Sequence, residues 1–342
     1  GTGPKPIYYV DDSGKLTVVV SQDDVPSLYT TVGLELVGDV LHICNIANSK
    51  GTKGEYLAWN LAEKTLERRV VVSTGVNTLP NDLVLDSQGN VYLTDFYNPL
   101  VYLIKPDDSV SVLINNTLIQ QGGAPNGIEI YKDSILLIAR YGGATPGLVR
   151  YDLSTSSLTE VTLDFEMPGS IDGLYFRENG NLLAVVDNNQ LVELTSTDDW
   201  MTATTVRVED SGIDSTTVVD RDGIPYVLHA GFATGPGTET FLITTPFGVS
   251  TSQEYPEEIA INSLNLFPEG IEFYPALNQF IVSSIATYIG TSAMPIYYVD
   301  DSGKLTLVVS QDDIPSLHSS VGLELVGDVL HICNLANVEG TK

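Results

Sequence analysis

The feature that most constrains this chain is that it repeats itself. Residues Pro6–Lys53 recur as Pro295–Lys342 at a constant offset of 289, without a gap, and 40 of the 48 aligned pairs are identical. The exceptions include mild exchanges such as Val18/Leu307, Val25/Ile314 and Ile46/Leu335, and sharper ones such as Tyr29/His318 and Lys50/Glu339. The 342 residues therefore hold one full period and the beginning of the next. The chain is expected to be a segment of a protein that carries at least two such units in tandem, with its ends inside units.

A shorter repeat lies within the period. A polar residue followed by Gly or Asp and then apolar residues opens a strand at Gly33-Leu34, Asn81-Asp82, Asn126-Gly127, Asp172-Gly173, Thr216-Thr217 and Glu269-Gly270. Counted from 33, 81, 126, 172, 217 and 269 to the next period at 322, the spacings are 48, 45, 46, 45, 52 and 53 residues, which fill the 289-residue period with nothing left over. Units of 40–50 residues are what a four-stranded propeller blade requires. The second unit shows the pattern most clearly. Apolar and polar residues alternate through Pro80–Leu85, and Asp86-Ser87-Gln88-Gly89-Asn90 supplies a turn. Val91–Asp95, Leu100–Ile104 and Val110–Ile114 supply three further strands. Helical periodicity is nearly absent. The expected fold class is all-β: a six-bladed β-propeller, cut from a tandem array.

Val249–Leu264 is polar, acidic and Pro-containing at its start, and it lengthens one spacing. The join between propellers is placed there. Residues 1–255 are then most of one propeller lacking its first two strands, and 256–342 are a linker and the first strands of the next.

Composition narrows the function. With 16 basic and 44 acidic residues the net charge is −28, which excludes nucleic acid and disfavours an anionic membrane surface. It favours solubility, cationic partners and divalent metals. No window approaches the length of a membrane span. Cys44 and Cys333 occupy one repeat position, so there is one thiol per unit and no disulfide framework. His42, His229, His318 and His331 lack metal-ligand spacing and read as packed strand residues. No Gly-x-Ser-x-Gly elbow occurs, and Gly231–Gly237 reads as a long turn. Asn115-Asn116-Thr117 is an N-glycosylation sequon in an inter-blade loop, which makes Asn115 a candidate glycan site if the protein is secreted.

The openings carry a resemblance. Phe267-Pro268-Glu269-Gly270-Ile271-Glu272-Phe273, Pro80-Asn81-Asp82, Pro125-Asn126-Gly127-Ile128 and Ile171-Asp172-Gly173-Leu174 stand in the blade order of the senescence-marker-protein/gluconolactonase superfamily. The chain resembles that superfamily of six-bladed propellers over essentially the whole period. The resemblance implies a divalent metal, Ca²⁺ or another cation, in the central tunnel, held by Glu269, Asn126 and Asp172 with Asn81 beside it. If the chain is an enzyme, Glu269 and Asp172 become the candidate catalytic carboxylates. One departure is Leu79, where lactonase members often carry an Arg for the sugar.

The donor set also makes sense chemically, because Ca²⁺ takes about 6–8 oxygen ligands from carboxylates, amides and water. The competing reading is that polar residues at strand starts satisfy turn backbone groups. Glu35, Glu129 and Glu272 share a position two residues after the opening Gly. They either extend a cation site or pair with backbone and Lys/Arg groups.

Two functions follow as expectations. The first is a repeat unit of a secreted protein, a structural component of an extracellular filament or matrix that retains the metal site and has neighbouring copies of itself as partners. The location is then extracellular or at the cell surface, without membrane insertion. The alternative is a Ca²⁺-dependent hydrolase of small lactones or esters.

Overall fold

The computed structural model describes the chain except residues 1–4, 49, 75–77, 122, 144–145, 165–168, 232–239, 249–254, 263–267, 285–295, 300–304, 310–318, 327–328 and 336–342. It divides into two units, Pro4–Ala286 and the remainder, chiefly Thr287–Lys342. Among the described residues the only helix is one 3₁₀ turn, Thr117–Ile119.

The larger unit is a six-bladed β-propeller. It begins with β1 (Ile7–Val10) and β2 (Leu16–Val20). The first complete blade is β3 (Thr30–Val37), β4 (Val40–Ile46), β5 (Lys53–Asn60) and β6 (Thr65–Thr74). The second is β7 (Pro80–Leu85), β8 (Val91–Asp95), β9 (Leu100–Ile104) and β10 (Val110–Asn115). The third is β11 (Ala124–Tyr131), β12 (Ile135–Tyr141), β13 (Gly147–Asp152) and β14 (Ser157–Glu160). A two-residue strand, β15 (Thr162–Leu163), then adds a fifth strand to the fourth blade, which is β16 (Ile171–Phe176), β17 (Leu182–Val186), β18 (Gln190–Thr195) and β19 (Thr202–Asp210). The fifth is β20 (Ser215–Arg221), β21 (Ile224–His229), β22 (Thr240–Thr244) and β23 (Glu258–Asn262). The sixth combines β24 (Pro268–Tyr274) and β25 (Gln279–Ser284) with the opening strands, in the order β2-β1-β25-β24.

The innermost strands β3, β7, β11, β16, β20 and β24 each contact the next, and β24 contacts β3, so the ring closes. All six contain the opening motifs read from sequence. Each blade is covered on both faces by its neighbours, which is why middle strands read as apolar runs rather than alternating ones. Leu182–Val186 is buried at every position, as is Ile135–Ala139. Turns follow their chemistry. Asp86 accepts hydrogen bonds from the N–H groups of Gln88 (3.0 Å) and Asn90 (2.9 Å), while Gly89 supplies the positive φ of +79°.

Two sequence expectations are corrected. The division falls at residues 286/287 rather than 255/256, because β25 pairs with β1 through Tyr8↔Val282, Tyr9↔Ile281 and Val10↔Phe280. The two strands expected upstream of the chain are thus supplied by its own residues 268–284. Nor is Val249–Leu264 a linker throughout. Its described part contains β23, the outer strand of the fifth blade, paired Thr240↔Asn262 to Thr244↔Glu258 with β22. The polar outer strand of a blade resembles a linker in composition because one side of it faces no further strand.

The smaller unit contains two hairpins, β26 (Ile296–Val299) with β27 (Leu305–Val309), and β28 (Ser319–Val326) with β29 (Val329–Leu335). Residues 296–309 pair in the same register as their counterparts 7–20, bulge included.

Candidate functional site

Every innermost strand breaks register at its opening motif. The shifts fall between Thr31 and Leu34, Pro80 and Leu83, Pro125 and Ile128, Ile171 and Leu174, Ser215 and Thr217, and Pro268 and Ile271. A bulge releases residues from the ladder and re-aims them. Here six bulges at one level of a closed ring turn the motif residues toward the axis. The glycines of these motifs permit the approach. A Cβ on Gly33 would lie 2.5 Å from the Asn81 carbonyl oxygen, and one on Gly127 would lie 2.5 Å from that of Asp172.

The result is a cavity of about 40 Å³ lined by Asn81, Asn126 and Asp172 and by the acids Glu35, Asp82, Glu129 and Glu272. Five carboxyl groups face one space, and the described lining contains no Lys, Arg or His. None of the five makes an ion pair among the described residues. Asn81, Asn126 and Asp172 are 6%, 5% and 6% exposed. The other four acids are half-buried and line the same cavity.

The electrostatic consequence is uniform. Loss of solvation pushes the Asp82 carboxyl up to about 7, against the pull of backbone N–H donors including Ile128. Burial likewise raises Asp172 to about 7, although Asn188 and Asn126 hydrogen-bond it. Glu35 rises to about 8 through burial and then the nearby Asp82 charge. Glu129 and Glu272 rise well above the usual range, through burial first and the neighbouring acids second. Such crowding disfavours the charged forms unless a cation enters.

Of the residues singled out from sequence, the structure brings Asn81, Asn126 and Asp172 to the cavity. Glu269 lies on β24 next to Gly270, which lines the cavity, but its side chain is outside the described residues. Among the described residues no three His, Cys, Asp or Glu side chains form a metal cage by themselves. The expected donor set draws instead on two amides, Asp172 and Glu269. Glu35, Glu129 and Glu272 line the same cavity. Glu129 accepts backbone N–H groups from Ile130 (3.3 Å) and Phe176 (3.4 Å), whereas the alternative of Lys/Arg partners is not what the described residues show. Asp82 was missed. Strict alternation sends neighbours to opposite faces, so Asn81 and Asp82 cannot both face the axis without the bulge. The Asp that stands at that opening where most of the others have Gly was the available signal.

Elsewhere the bland readings fit. His42 Nδ1 lies 2.6 Å from Tyr56 Oη, with its pKa lowered to about 4 by burial and then by Arg68. His229 is held by the Ile213 carbonyl and Thr244 Oγ1. Cys44 is a buried free thiol. Asn115 is exposed at the end of β10.

No protein-family profile matches the chain, and no curated protein matches it in sequence. Solved structures do match in shape. One chain from the crystal structure of a nidogen/laminin complex aligns with TM-score 0.51 and 13% identity, covering 76% of this chain and 99% of its own. A protein from Lactobacillus plantarum aligns with TM-score 0.50 and 16% identity, over 88% and 90%. A putative gluconolactonase is also among the matches, with TM-score 0.47 and 14% identity, over 75% and 88%. At such identities the likeness establishes the fold.

Proposed function

We propose that this chain is a repeat unit of a secreted tandem β-propeller protein, a structural component of an extracellular filament or matrix, with one Ca²⁺ clamped in its central channel. The observation that carries the metal is the cavity itself: five carboxyl groups and no basic side chain in its described lining. Asp172, the amide oxygens of Asn126 and Asn81, and Glu269 would hold the ion. Calcium accepts this hard oxygen set with water completing 6–8 ligands. Bound there, the cation offsets the repulsion among acids on several blades and ties the inner strands together.

A water needs roughly 10–15 Å³ measured the same way. A cavity of about 40 Å³ therefore suits an ion with a few waters. Leu79 in place of a sugar-holding Arg weakens the lactonase reading. Two near-identical 48-residue segments 289 residues apart, a charge of −28 and an exposed Asn115 sequon support the extracellular array. No described helix is long and apolar enough to cross a membrane.

Metal analysis and titration calorimetry on the purified chain test the proposal. One Ca²⁺ per propeller is expected, with a chelator-sensitive melting temperature and no turnover of lactones or esters. Turnover that disappears with chelator would replace the clamp with the hydrolase, and an absence of calcium binding would remove both.

A further inference from the structure

Asp172 is the axial carboxylate whose surroundings are best defined, and its side-chain partners are amides. Asn188 Nδ2 donates to Asp172 Oδ2 at 3.2 Å, and Asn126 also hydrogen-bonds the carboxyl group. Among the described residues no Lys or Arg forms an ion pair with it. Glu55, by contrast, is held by both Lys53 and Arg69. A basic partner competes with an entering cation. An amide fixes the direction of a carboxylate and leaves its charge in place.

Asn188 reaches Asp172 from a tight turn. Three residues, 187–189, join β17 to β18, and Asp187 and Asn188 take left-handed φ values of +53° and +54°. Asp and Asn tolerate that region better than other residues with a Cβ. Asp187 and Asn189 are exposed, whereas Asn188 between them is half-buried. Its backbone carbonyl accepts from the Ser215 N–H at 3.0 Å, and its Nδ2 donates back to the Ser215 carbonyl, also at 3.0 Å. Ser215 opens β20 in the fifth blade. From the third blade, Tyr141 at the end of β12 donates its hydroxyl to Asn188 Oδ1 at 3.1 Å, and its ring lies 5.8 Å from that of Phe96. Every polar atom of the amide is thus engaged. Turning the amide over would set its oxygen against the Asp172 carboxyl and the Ser215 carbonyl, two acceptors, so the chemistry admits one orientation.

We propose, on the calcium reading of the axial cavity, that Asn188 is the positioning residue of Asp172. It holds one carboxylate oxygen, Oδ2, and so presents the carboxyl group to the ion in a fixed direction. Tyr141 sets the amide, and Ser215 anchors the turn that carries it. Partners that hydrogen-bond a ligating group are worth roughly 10–100-fold in metal affinity. A tie that only joined three blades would leave that affinity unchanged.

The test uses the full chain, with calorimetric titration of calcium and thermal melting in chelator. Asn188→Gly suits the left-handed turn, keeps the backbone bond from Ser215 and removes the side chain. Its calcium dissociation constant should rise by roughly tenfold or more. Tyr141→Phe leaves Asn188 in place and removes only the hydroxyl that orients it. It should weaken calcium binding by a smaller factor, with a melting temperature in chelator within about 3 °C of the parent's. Should Asn188→Gly fail to fold, Tyr141→Phe decides. Parental calcium affinity in the variants, whatever their melting temperature in chelator, overturns the assignment and leaves the axial calcium standing. A parent chain that binds no calcium removes the axial site, and the positioning role with it.

Discussion

Charge is handled in opposite ways between the blades and along the axis. Between strands and blades, buried cations meet acids. Arg177 bridges Glu193 of its own blade and Asp220 of the next at 3.1 Å each, and within the third blade Arg140 meets Glu160 at 2.6 Å. Arg221 reaches Asp12 at 2.8 Å and lies over the rings of Tyr255, Phe273 and Phe280. Along the axis five acids gather with no basic partner in the described lining. Both regions belong to the same six blades, so the fold does not force the contrast. The acids between strands and blades receive basic partners; on the proposed reading the axial acids receive a cation.

Arg221→Ala breaks the paired side of this comparison and carries the largest expected effect. Arg221 is fully buried, so the change removes its packing on three rings and leaves Asp12 and Asn278 without their donor. A loss of about 3 kcal/mol in urea unfolding is expected, with or without calcium. If the loss depended on calcium, the two regions would not be independent.

Asp172→Asn addresses the axial side. In the parent chain, calcium at 100 times its dissociation constant should add about 2.7 kcal/mol to stability. The variant should lose that increment while unfolding much like the parent in chelator. A variant that still gains stability from calcium would place the ion elsewhere.

The reach of the sequence follows the same division. Blade count, blade order and the innermost strands were legible because a period of 45–53 residues is a property of sequence alone. That Asn81, Asn126 and Asp172 stand at one cavity was legible because each sits at a repeated opening. Asp82 was not, since its inward direction depends on a bulge that alternation does not encode. The domain boundary was misplaced for a different reason. Pairing of β25 with Tyr8–Val10 joins residues 270 or more positions apart, a separation that no local pattern encodes. Turn carboxylates also look like site carboxylates in sequence. Asp86 loses solvation, yet donors including Asn90 and Tyr92 hold it below the usual range, whereas Asp82 and Asp172 lie above it.

That last difference sets the sign of the pH response. An acid whose pKa is higher in the folded state binds more protons folded than unfolded between the two values, so stability falls as pH rises through that interval. For Asp82 and Asp172, at about 7, and Glu35, at about 8, the interval runs from about pH 4 to about pH 8. Metal-free protein should therefore lose stability steadily from pH 6 to pH 8. Below about pH 6.5, His42, lowered to about 4 by burial and then Arg68, opposes the trend in part as the unfolded imidazole takes up its proton, and the raised acids outnumber it. Calcium should flatten the alkaline limb by stabilising the charged acids. Glu35→Gln should flatten it in part without metal, raising stability at pH 8 by on the order of 1 kcal/mol once solvent screening in the channel is allowed for. Guanidinium titrations at pH 6 and pH 8, with calcium and with chelator, measure all four corners. A parent chain whose metal-free stability rises toward pH 8 would mean that the axial acids already have their counter-charge, and the contrast with the inter-blade pairs would disappear.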